Sequence, residues 1–221
     1  MNVEYARFNM IEQQIRTWDV LDQDVLSLLA IVKREDFVPP AYAALAFVDT
    51  EVPLPTKRGE PQSMLTPKVE ARLLQELAVR KHECVLEVGA GSGYMAALLG
   101  HKAQGVVTLE IDDGLCAFAR RNLARAGANN VTVRHGDGSA GLAEDAPFDV
   151  IVLSGSVADV PLSLLAQLRS GGRLVAIVGE LPIMRARLYT CSGPNDYHSV
   201  DLFDTVAPRL AGFAEPTRFV F

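Results

Sequence analysis

The stretch CVLEVGAGSGY, residues 84–94, decides the fold of this chain. Its first five residues form a short run rich in β-branched side chains, which predicts a buried strand. Three alternate glycines follow, Gly89, Gly91 and Gly93, and a helix is predicted over Met95–Leu99. Glycine lets the backbone turn tightly and approach a ligand where a Cβ would stand in the way. A strand, a glycine turn and a helix in this order predict a ligand site at the end of a parallel sheet.

Strands and helices alternate in the sequence that follows. The further predicted strands cover residues 106–110, 131–133, 148–153 and 173–178. One intervening helix ends at Gly127, and a later one starts near Pro161, buries Leu162, Leu165 and Leu168, and stops at the paired glycines 171–172. This alternation predicts the α/β fold class, a doubly wound, mostly parallel sheet that is covered on both faces.

Other elements are predicted on both sides of this sheet. A first N-terminal stripe with helical spacing consists of Phe8, Ile11, Ile15 and Trp18. Asp22 is a good N-cap for a second helix. Helical intervals disappear near the C-terminus, which predicts antiparallel strands at residues 188–190, 201–206 and 218–221. We therefore expect one domain over residues 1–221, with a helical and loop section (1–80), an α/β core (81–180) and C-terminal strands (181–221).

The least regular stretch runs from Asp49 to Pro67 and is rich in proline. Long segments without regular structure are uncommon inside a compact domain, and they are typically linkers or functional loops. Apolar Met64 and Leu65 interrupt the polar character of this stretch, which favours a functional loop. Thr66 then serves as an N-cap before a proline at the first helical position, so a helix is predicted from Pro67.

Composition narrows the class of protein. The chain has 221 residues, a net charge of −6 and 49% hydrophobic residues, which is typical of a globular protein. The acidic balance argues against a nucleic-acid partner, and the apolar runs are too short for a membrane span. The 3 cysteines are widely spaced and no secretory signal is seen, which favours the cytoplasm. Histidines and cysteines lack metal-ligand spacing, so no metal site is predicted.

The glycine turn (residues 89–94) departs from the phosphate-binding motifs. The dinucleotide fingerprint G-x-G-x-x-G requires a glycine where Tyr94 stands, and no Gly-Lys-Ser/Thr tripeptide of a triphosphate loop follows. The G-x-G-x-G pattern suits a nucleoside whose partner group is not a pyrophosphate, such as S-adenosyl-L-methionine. NAD, and with it a dehydrogenase, is the less favoured alternative.

Acidic residues follow the next two strands. Glu110 ends the second strand, 19 residues after Gly91. Its carboxylate can accept both hydrogen bonds from a ribose diol, and the adjacent Ile111 is predicted to belong to the same site. Asp137 lies between two glycines after the third strand and can accept a hydrogen bond from the adenine amine. A solvated strand end and a turn former are the simpler structural roles of these two residues. The full predicted cofactor set is Glu87, Gly89, Ala90, Gly91, Ser92, Gly93, Tyr94, Glu110, Ile111, Gly136, Asp137 and Gly138.

These motifs resemble those of the protein-L-isoaspartate O-methyltransferases over nearly the whole chain. The similar stretches are MIEQQI (10–15), REDFVP (34–39), VLEVGAGSGY (85–94), GDG (136–138), PFD (147–149) and GGRLV (171–175). The resemblance implies a Rossmann-like methyltransferase fold with S-adenosyl-L-methionine as cofactor. It also implies protein repair by methylation of L-isoaspartyl residues in damaged proteins or peptides. Glu110 and Asp137 take the ribose and adenine roles by the same resemblance.

The chain departs from this family in the irregular loop. The family typically reads Gly-Gln-Thr-Ile-Ser-Gln-Pro before the helix, and its serine lies beside the reacting groups. Residues 61–67 read PQSMLTP here, which puts Leu65 in the place of that serine. Ser63 and Thr66 are the nearest hydroxyls and therefore the candidate catalytic residues, although a loop hydroxyl and a helix N-cap are their simpler roles. Three alternatives therefore stay open for the methyl acceptor. It is an isoaspartyl residue, it is an unknown small molecule, or there is no acceptor because the chain binds the cofactor without turnover.

Overall fold

The computed structural model describes residues 2–56 and 61–215, which form six α-helices and nine strands. The helices are α1 (Val3–Asn9), α2 (Gln23–Ile31), α3 (Pro67–Leu77), α4 (Tyr94–Lys102), α5 (Asp113–Arg125) and α6 (Leu162–Leu165). The strands are β1 (Val52–Pro53), β2 (Ser63–Met64), β3 (Cys84–Val88), β4 (Gly105–Glu110), β5 (Val131–His135), β6 (Phe148–Val157), β7 (Leu168–Glu180), β8 (Ile183–Gly193) and β9 (Asp196–Thr205).

The main sheet has the strand order β5-β4-β3-β6-β7-β8-β9. The first five strands in this order are parallel, and β8 and β9 are antiparallel additions at one edge. The chain passes from β3 to β4 and β5 on one side and then returns to β6 and β7 on the other, so the order reverses at β3. Such a reversal opens a crevice at the carboxyl ends of the strands. The predicted fold class is confirmed, and the glycine turn lies at this crevice.

Both faces of the central parallel strands β3 and β6 are buried, which is why these two strands are so apolar. On one face, Val85 of β3 belongs to a cluster with Leu73 of α3 and Leu98 of α4. On the other face, its neighbour Leu86 packs in a cluster with Leu165 of α6. Burial of one such leucine contributes about 1.5–3 kcal/mol, so the two clusters hold β3 firmly at the centre of the sheet.

The predicted N-terminal stripe is wrong at one position. Phe8 is 59% exposed, whereas the other three members pack on the core together with Met10. A π-helix spans Met10–Ile15. Its wider turn shifts the side chains away from the 3.6-residue period, so a residue one turn earlier no longer faces the core.

Both predicted helix starts are confirmed. Asp22 caps α2, and its Oδ1 atom accepts hydrogen bonds from the amides of Asp24 and Val25 at 2.8 and 3.3 Å. Thr66 is the N-cap residue of α3, and Pro67 occupies the first helical position.

The helix predicted to start near Pro161 is much shorter than expected. α6 has only four residues, and Leu162 is 72% exposed. Leu165 is buried as predicted, but Leu168 already belongs to β7, where it pairs with Phe148 of β6. Pairing with β6, and not the local helical spacing, decides the structure at Leu168. The sequence immediately around Leu168 does not include β6, so the spacing could not predict this pairing.

The C-terminal and loop predictions have mixed outcomes. Strands β8 and β9 are antiparallel as predicted, and both are longer than expected. The strand predicted at residues 218–221 lies outside the described residues, as do residues 57–60 of the irregular loop. On either side of those residues the loop forms the β1–β2 pair, with Val52 opposite Met64.

No helix in the described part of the chain is long and apolar enough to cross a membrane.

Candidate functional site

A cavity of about 650 Å³ opens at the carboxyl ends of the central strands. Pockets for small molecules typically measure about 300–1,000 Å³, so this one can hold a nucleoside-sized ligand. Three parts of the chain supply most of its lining: the glycine turn with the ends of β3, β4 and β6, the β1–β2 pair with its flanking residues, and the C-terminal segment, which we define as residues 207–215.

The glycine turn is held by its own hydrogen bonds. The amides of Gly89 and Ala90 donate to the carbonyl oxygen of Leu109 at 2.9 and 3.1 Å. The amide of Gly91 donates to the carboxylate of Glu110 at 2.8 Å. These amides already have acceptors within the protein, so the turn does not offer them to a phosphate. The geometry therefore argues against a pyrophosphate cradle, as the sequence pattern predicts.

The turn requires glycine for its backbone conformation. Gly89, Gly91 and Gly93 have φ angles of +92°, +53° and +83°, in a region that residues with a side chain rarely adopt. A Cβ on Gly91 would also stand 3.1 Å from the Cδ1 atom of Leu54, which follows β1. Gly91 is thus the point where the turn meets the β1–β2 side of the cavity.

Glu110 stands in the cavity wall at the end of β4. Its two carboxylate oxygens accept hydrogen bonds from the amides of Gly91 and Asp112 at 2.8 and 3.0 Å. Each oxygen has a further lone pair, so the carboxylate can still accept from two hydroxyls of a ribose. Burial raises the pKa of Glu110, and the bonds from the backbone amides oppose that rise. Ile111, next in the chain, also lines the cavity.

Asp137 lies at the rim of the same cavity. Its neighbours Gly136 and Gly138 line the wall, while the Asp137 side chain is exposed. The Oδ1 atom accepts a hydrogen bond from the amide of Ser139 at 2.8 Å. It also faces the C-terminal segment, where a Cβ on Gly212 would come within 2.5 Å of it. The structure thus brings the three predicted strand ends to one cavity, and the contact of Asp137 with adenine stays a prediction.

Glu87 carries a buried carboxyl group at the base of the cavity. It accepts hydrogen bonds from the hydroxyls of Thr108 and Ser154, each at 2.6 Å. Burial raises the pKa of Glu87 to about 7, and the bonds from the two hydroxyls oppose the rise. The sequence prediction included neither hydroxyl. Thr108 is placed by its register opposite Glu87 across the β3–β4 pair, and Ser154 by its position on β6.

Leu65 is buried in the opposite wall of the cavity. Its carbonyl oxygen accepts a hydrogen bond from Nη2 of Arg34 at 2.9 Å. Arg34 is fully buried and also donates to the carbonyl of Ala46 at 3.1 Å and to the carboxylate of Glu70 at 3.4 Å. Burial raises the pKa of Glu70 to about 7, and the charge of Arg34 opposes the rise. This arginine, which the prediction did not assign to the site, anchors the loop that carries Leu65.

The two candidate catalytic hydroxyls have different surroundings. Ser63 lines the cavity, and its hydroxyl donates to the carboxylate of Glu51 at 2.8 Å. Thr66 precedes α3, and its Oγ1 atom is buried without a hydrogen-bond partner among the described residues. A catalytic role for either residue stays a prediction.

The C-terminal segment closes the third side of the cavity and was not predicted there. Ser156 of β6 donates its amide to the carbonyl of Pro208 at 2.7 Å and accepts from the amide of Leu210 at 2.9 Å. The Leu210 side chain lies against the turn, because a Cβ on Gly89 would stand 2.6 Å from its Cδ2 atom. Nothing in the local sequence indicates this contact, since the segment follows neither a helical nor an alternating pattern.

Comparison with known proteins agrees with the predicted resemblance. The family model described as protein-L-isoaspartate(D-aspartate) O-methyltransferase matches residues 6–195. The protein-L-isoaspartate O-methyltransferase of Koribacter versatilis (strain Ellin345) is 42% identical over 174 residues, which are 79% of this chain and 77% of that protein. Protein-L-isoaspartate O-methyltransferase 2 of Anaeromyxobacter sp. (strain Fw109-5) is 40% identical over 198 residues, 88% of this chain and 80% of its own length.

Solved structures of similar proteins share the fold. One protein-L-isoaspartate O-methyltransferase superposes with a TM-score of 0.73 at 26% identity, covering 93% of this chain and 67% of its own. Another, from Plasmodium falciparum in complex with S-adenosyl-L-homocysteine, has a TM-score of 0.74 at 21% identity and covers 92% of this chain and 97% of its own. The predicted resemblance is thereby confirmed: the chain belongs to the protein-L-isoaspartate(D-aspartate) O-methyltransferase family.

Proposed function

We propose that this chain transfers the methyl group of S-adenosyl-L-methionine to the free carboxylate of L-isoaspartyl residues in damaged proteins or peptides. The product is a methyl ester, and the biological role is protein repair. The observation that carries this proposal is the family match, which runs through residues 6–195 and therefore includes both the glycine turn and the loop opposite to it.

The cavity fits the cofactor by its chemistry as well as its size. Val88, Ile111 and Leu115 line it with apolar surface that suits a purine ring. We assign the ribose diol to the remaining lone pairs of Glu110 and the adenine amine to Asp137 at the rim. The glycine turn (89–94) then lies beside the methionine portion, where its bare backbone permits close approach. When bound, the cofactor supplies an electrophilic methyl group on a sulfonium.

The chain needs to supply position and a dry environment more than proton transfer. A carboxylate acceptor is already ionised near neutral pH, so no general base is required. Leu54, Met64 and Leu65 form an apolar part of the cavity wall. Such a wall removes water from the carboxylate oxygen that attacks the methyl carbon, and the fixed loop holds the two groups in line.

Leu65 supports a second candidate, a related methyltransferase with a small-molecule acceptor. The family places a serine at this position, whereas here the side chain is apolar and buried and the backbone is tied to Arg34. A neighbouring hydroxyl can take the serine's place only if this anchored loop moves. An acceptor that needs no hydroxyl from the enzyme fits the same wall.

We also propose that the protein works as a single domain in the cytoplasm. The N-terminal section and the C-terminal segment both line the cavity with the α/β core, so none of the three sections forms the site alone. Cys84, Cys116 and Cys191 are all free, which suits a reducing compartment.

A methyl-transfer assay tests the proposed function. The purified protein is incubated with methyl-labelled S-adenosyl-L-methionine and an isoaspartyl peptide, and the control is the same peptide with ordinary aspartate. We expect a base-labile methyl ester on the isoaspartyl peptide alone. Transfer only to members of a panel of small carboxylic acids supports the second candidate. Calorimetric binding of S-adenosyl-L-homocysteine without transfer to any acceptor indicates a binding protein and contradicts both.

A further inference from the structure

The wall of the cavity carries an unequal set of charges. Its acidic side chains are Glu70, Glu87, Glu110, Asp112 and Glu215. Within residues 2–56 and 61–215, Arg209 is the cationic side chain of this wall. An acceptor that enters as an anion is repelled by the ionised acids and attracted by the arginine, so the position of Arg209 bears on how a carboxylate binds.

The backbone of Arg209 is firmly fixed at the edge of the cavity. It forms a bridge with Ser156, which lies near the end of β6. Its carbonyl oxygen accepts a hydrogen bond from the Nε2 atom of Gln62 at 3.3 Å, so it is tied to the loop that carries Leu65. Glu110 ends β4, on the other side of β3 from β6. Arg209 therefore stands away from the ribose position and beside the anchored loop.

The guanidinium of Arg209 is held much more weakly. Its Nε atom lies 3.1 Å from Oε1 of Glu215, and its Nη1 atom donates to the Ser156 hydroxyl at 3.5 Å. The Glu215 side chain is 56% exposed. The Arg209 side chain is partly buried, but water reaches its partner carboxylate. Ion pairs that are open to solvent contribute only about 0–1 kcal/mol, so a competing carboxylate can replace Glu215 at little cost. A guanidinium also has five N–H donors, more than these two contacts engage.

We propose that Arg209 binds the carboxylate of the methyl acceptor, and that Glu215 occupies Arg209 as an internal substitute until the acceptor displaces it. This inference rests on the proposed function, because it requires an acceptor with a free carboxylate. One acceptor oxygen takes the place of the Glu215 oxygen on the guanidinium. The other faces the cavity, where the apolar wall around Leu65 keeps it dry.

Glu215 also affects product release, because the reaction removes the negative charge of the acceptor. The acceptor oxygen forms a bond to the methyl carbon as the carbon–sulfur bond breaks, and the electron pair of that bond stays on sulfur. No proton is transferred, and the anionic carboxylate becomes a neutral ester. A neutral ester has lost its charge-assisted bond to the guanidinium, whereas Glu215 has kept its charge. The ion pair between Glu215 and Arg209 then forms again, which promotes release of the product.

Steady-state kinetics with an isoaspartyl peptide tests this exchange. Glu215→Gln removes the competitor, so we expect the KM for the peptide to fall about threefold, in line with an exposed pair of under 1 kcal/mol. Arg209→Gln removes the guanidinium that binds the acceptor carboxylate, so we expect the KM to rise at least about tenfold. Arg209→Lys keeps the positive charge, so its KM should rise less. In the Arg209→Gln background, Glu215→Gln is expected to have no further effect. Arg185→Gln, which breaks two exposed ion pairs between β8 and β9, is the matched control and should leave the KM unchanged.

Calorimetry with S-adenosyl-L-homocysteine distinguishes the acceptor carboxylate from that of the cofactor. We expect all variants to bind it within twofold of the wild type. Loss of this affinity in Arg209→Gln would assign the arginine to the methionine carboxylate and overturn the inference. An unchanged peptide KM in both single variants, with an active wild type, overturns it as well. A wild type that does not methylate the peptide contradicts the proposed function itself, and the inference fails with it.

Discussion

The two ends of the cavity are built in different ways. At the glycine-turn end, one short stretch supplies the backbone, and its amide at Gly91 reaches Glu110 only 19 residues later. At the other end, which we call the acceptor end because we propose that the acceptor binds there, the wall depends on Arg34, on the loop that carries Leu65 and on the C-terminal segment. Gln62 and Arg209, which join two of these parts, are 147 residues apart in the chain. The departure from the family motif that the sequence analysis predicts, Leu65 in place of a serine, falls at the second end. A turn that only glycine can adopt tolerates little change, whereas a wall made by packing can accept another side chain while the fold persists.

Gly91→Val is expected to have the largest effect and would break the glycine-turn end. The valine must adopt a φ of +53°, and its Cβ would stand 3.1 Å from Leu54. We expect the affinity for S-adenosyl-L-homocysteine to fall at least about 100-fold, measured by calorimetry. Gly127→Val is the control, because φ is +69° there but no atom lies within 4 Å of the added Cβ. Equal affinity in the two variants would contradict this role of the turn.

Asp137→Ala addresses the same end at its rim, with a smaller expected effect. Removal of a charge-assisted hydrogen bond to the adenine amine should weaken binding of S-adenosyl-L-homocysteine about tenfold. Asp113→Ala, an exposed acid in the first turn of α5, controls for the loss of a negative charge nearby. If both variants bind as the wild type does, Asp137 only shapes the turn that it forms with Ser139.

Leu65→Ser sharpens the comparison from the acceptor end. The new hydroxyl supplies the residue type that the predicted resemblance implies at this position. One added hydrogen bond of about 1 kcal/mol corresponds to a roughly fivefold gain in kcat/KM for an isoaspartyl peptide. Leu65→Ala is the matched control, since it leaves a similar cavity without a hydroxyl. Both variants should unfold at lower temperature, because a buried leucine is lost. Equal kcat/KM for serine and alanine would point to a different acceptor.

Glu87→Gln is expected to have the smallest effect on cofactor affinity, and a distinct effect on stability. Burial raises the pKa of Glu87 from its ordinary 4.5 to about 7 in the folded state. The protonated carboxyl therefore favours the fold below pH 4.5, and this contribution is lost as the pH rises through about 7. At about 1.4 kcal/mol per pKa unit, the variant should gain roughly 3 kcal/mol relative to the wild type between pH 4.5 and pH 8. Urea unfolding at several pH values measures this gain, and parallel pH profiles would contradict it.

Local sequence patterns predicted the elements whose causes are local. The cap at Asp22, the start of α3 at Pro67 and the strand before the glycine turn each depend on a few adjacent residues. The predictions for Phe8 and Leu162 were wrong for a shared reason. The side chains that face the core change at a π-helix after Phe8, and they change again where the chain enters β7 after α6. The spacing of apolar residues, on which both predictions were based, shows neither feature.

The sequence by itself determined the α/β fold and placed a glycine turn and two acids at successive strand ends, because backbone conformation and strand period are properties of neighbouring residues. Only the tertiary structure decided what surrounds those groups. The register of β3 against β4 puts Thr108 beside Glu87, and helix packing brings Arg34 to the loop of Leu65. The bridge at Ser156 sets Arg209 at the cavity edge. Each of these contacts joins residues far apart in the chain, and their closeness follows from the burial of whole strands and helices.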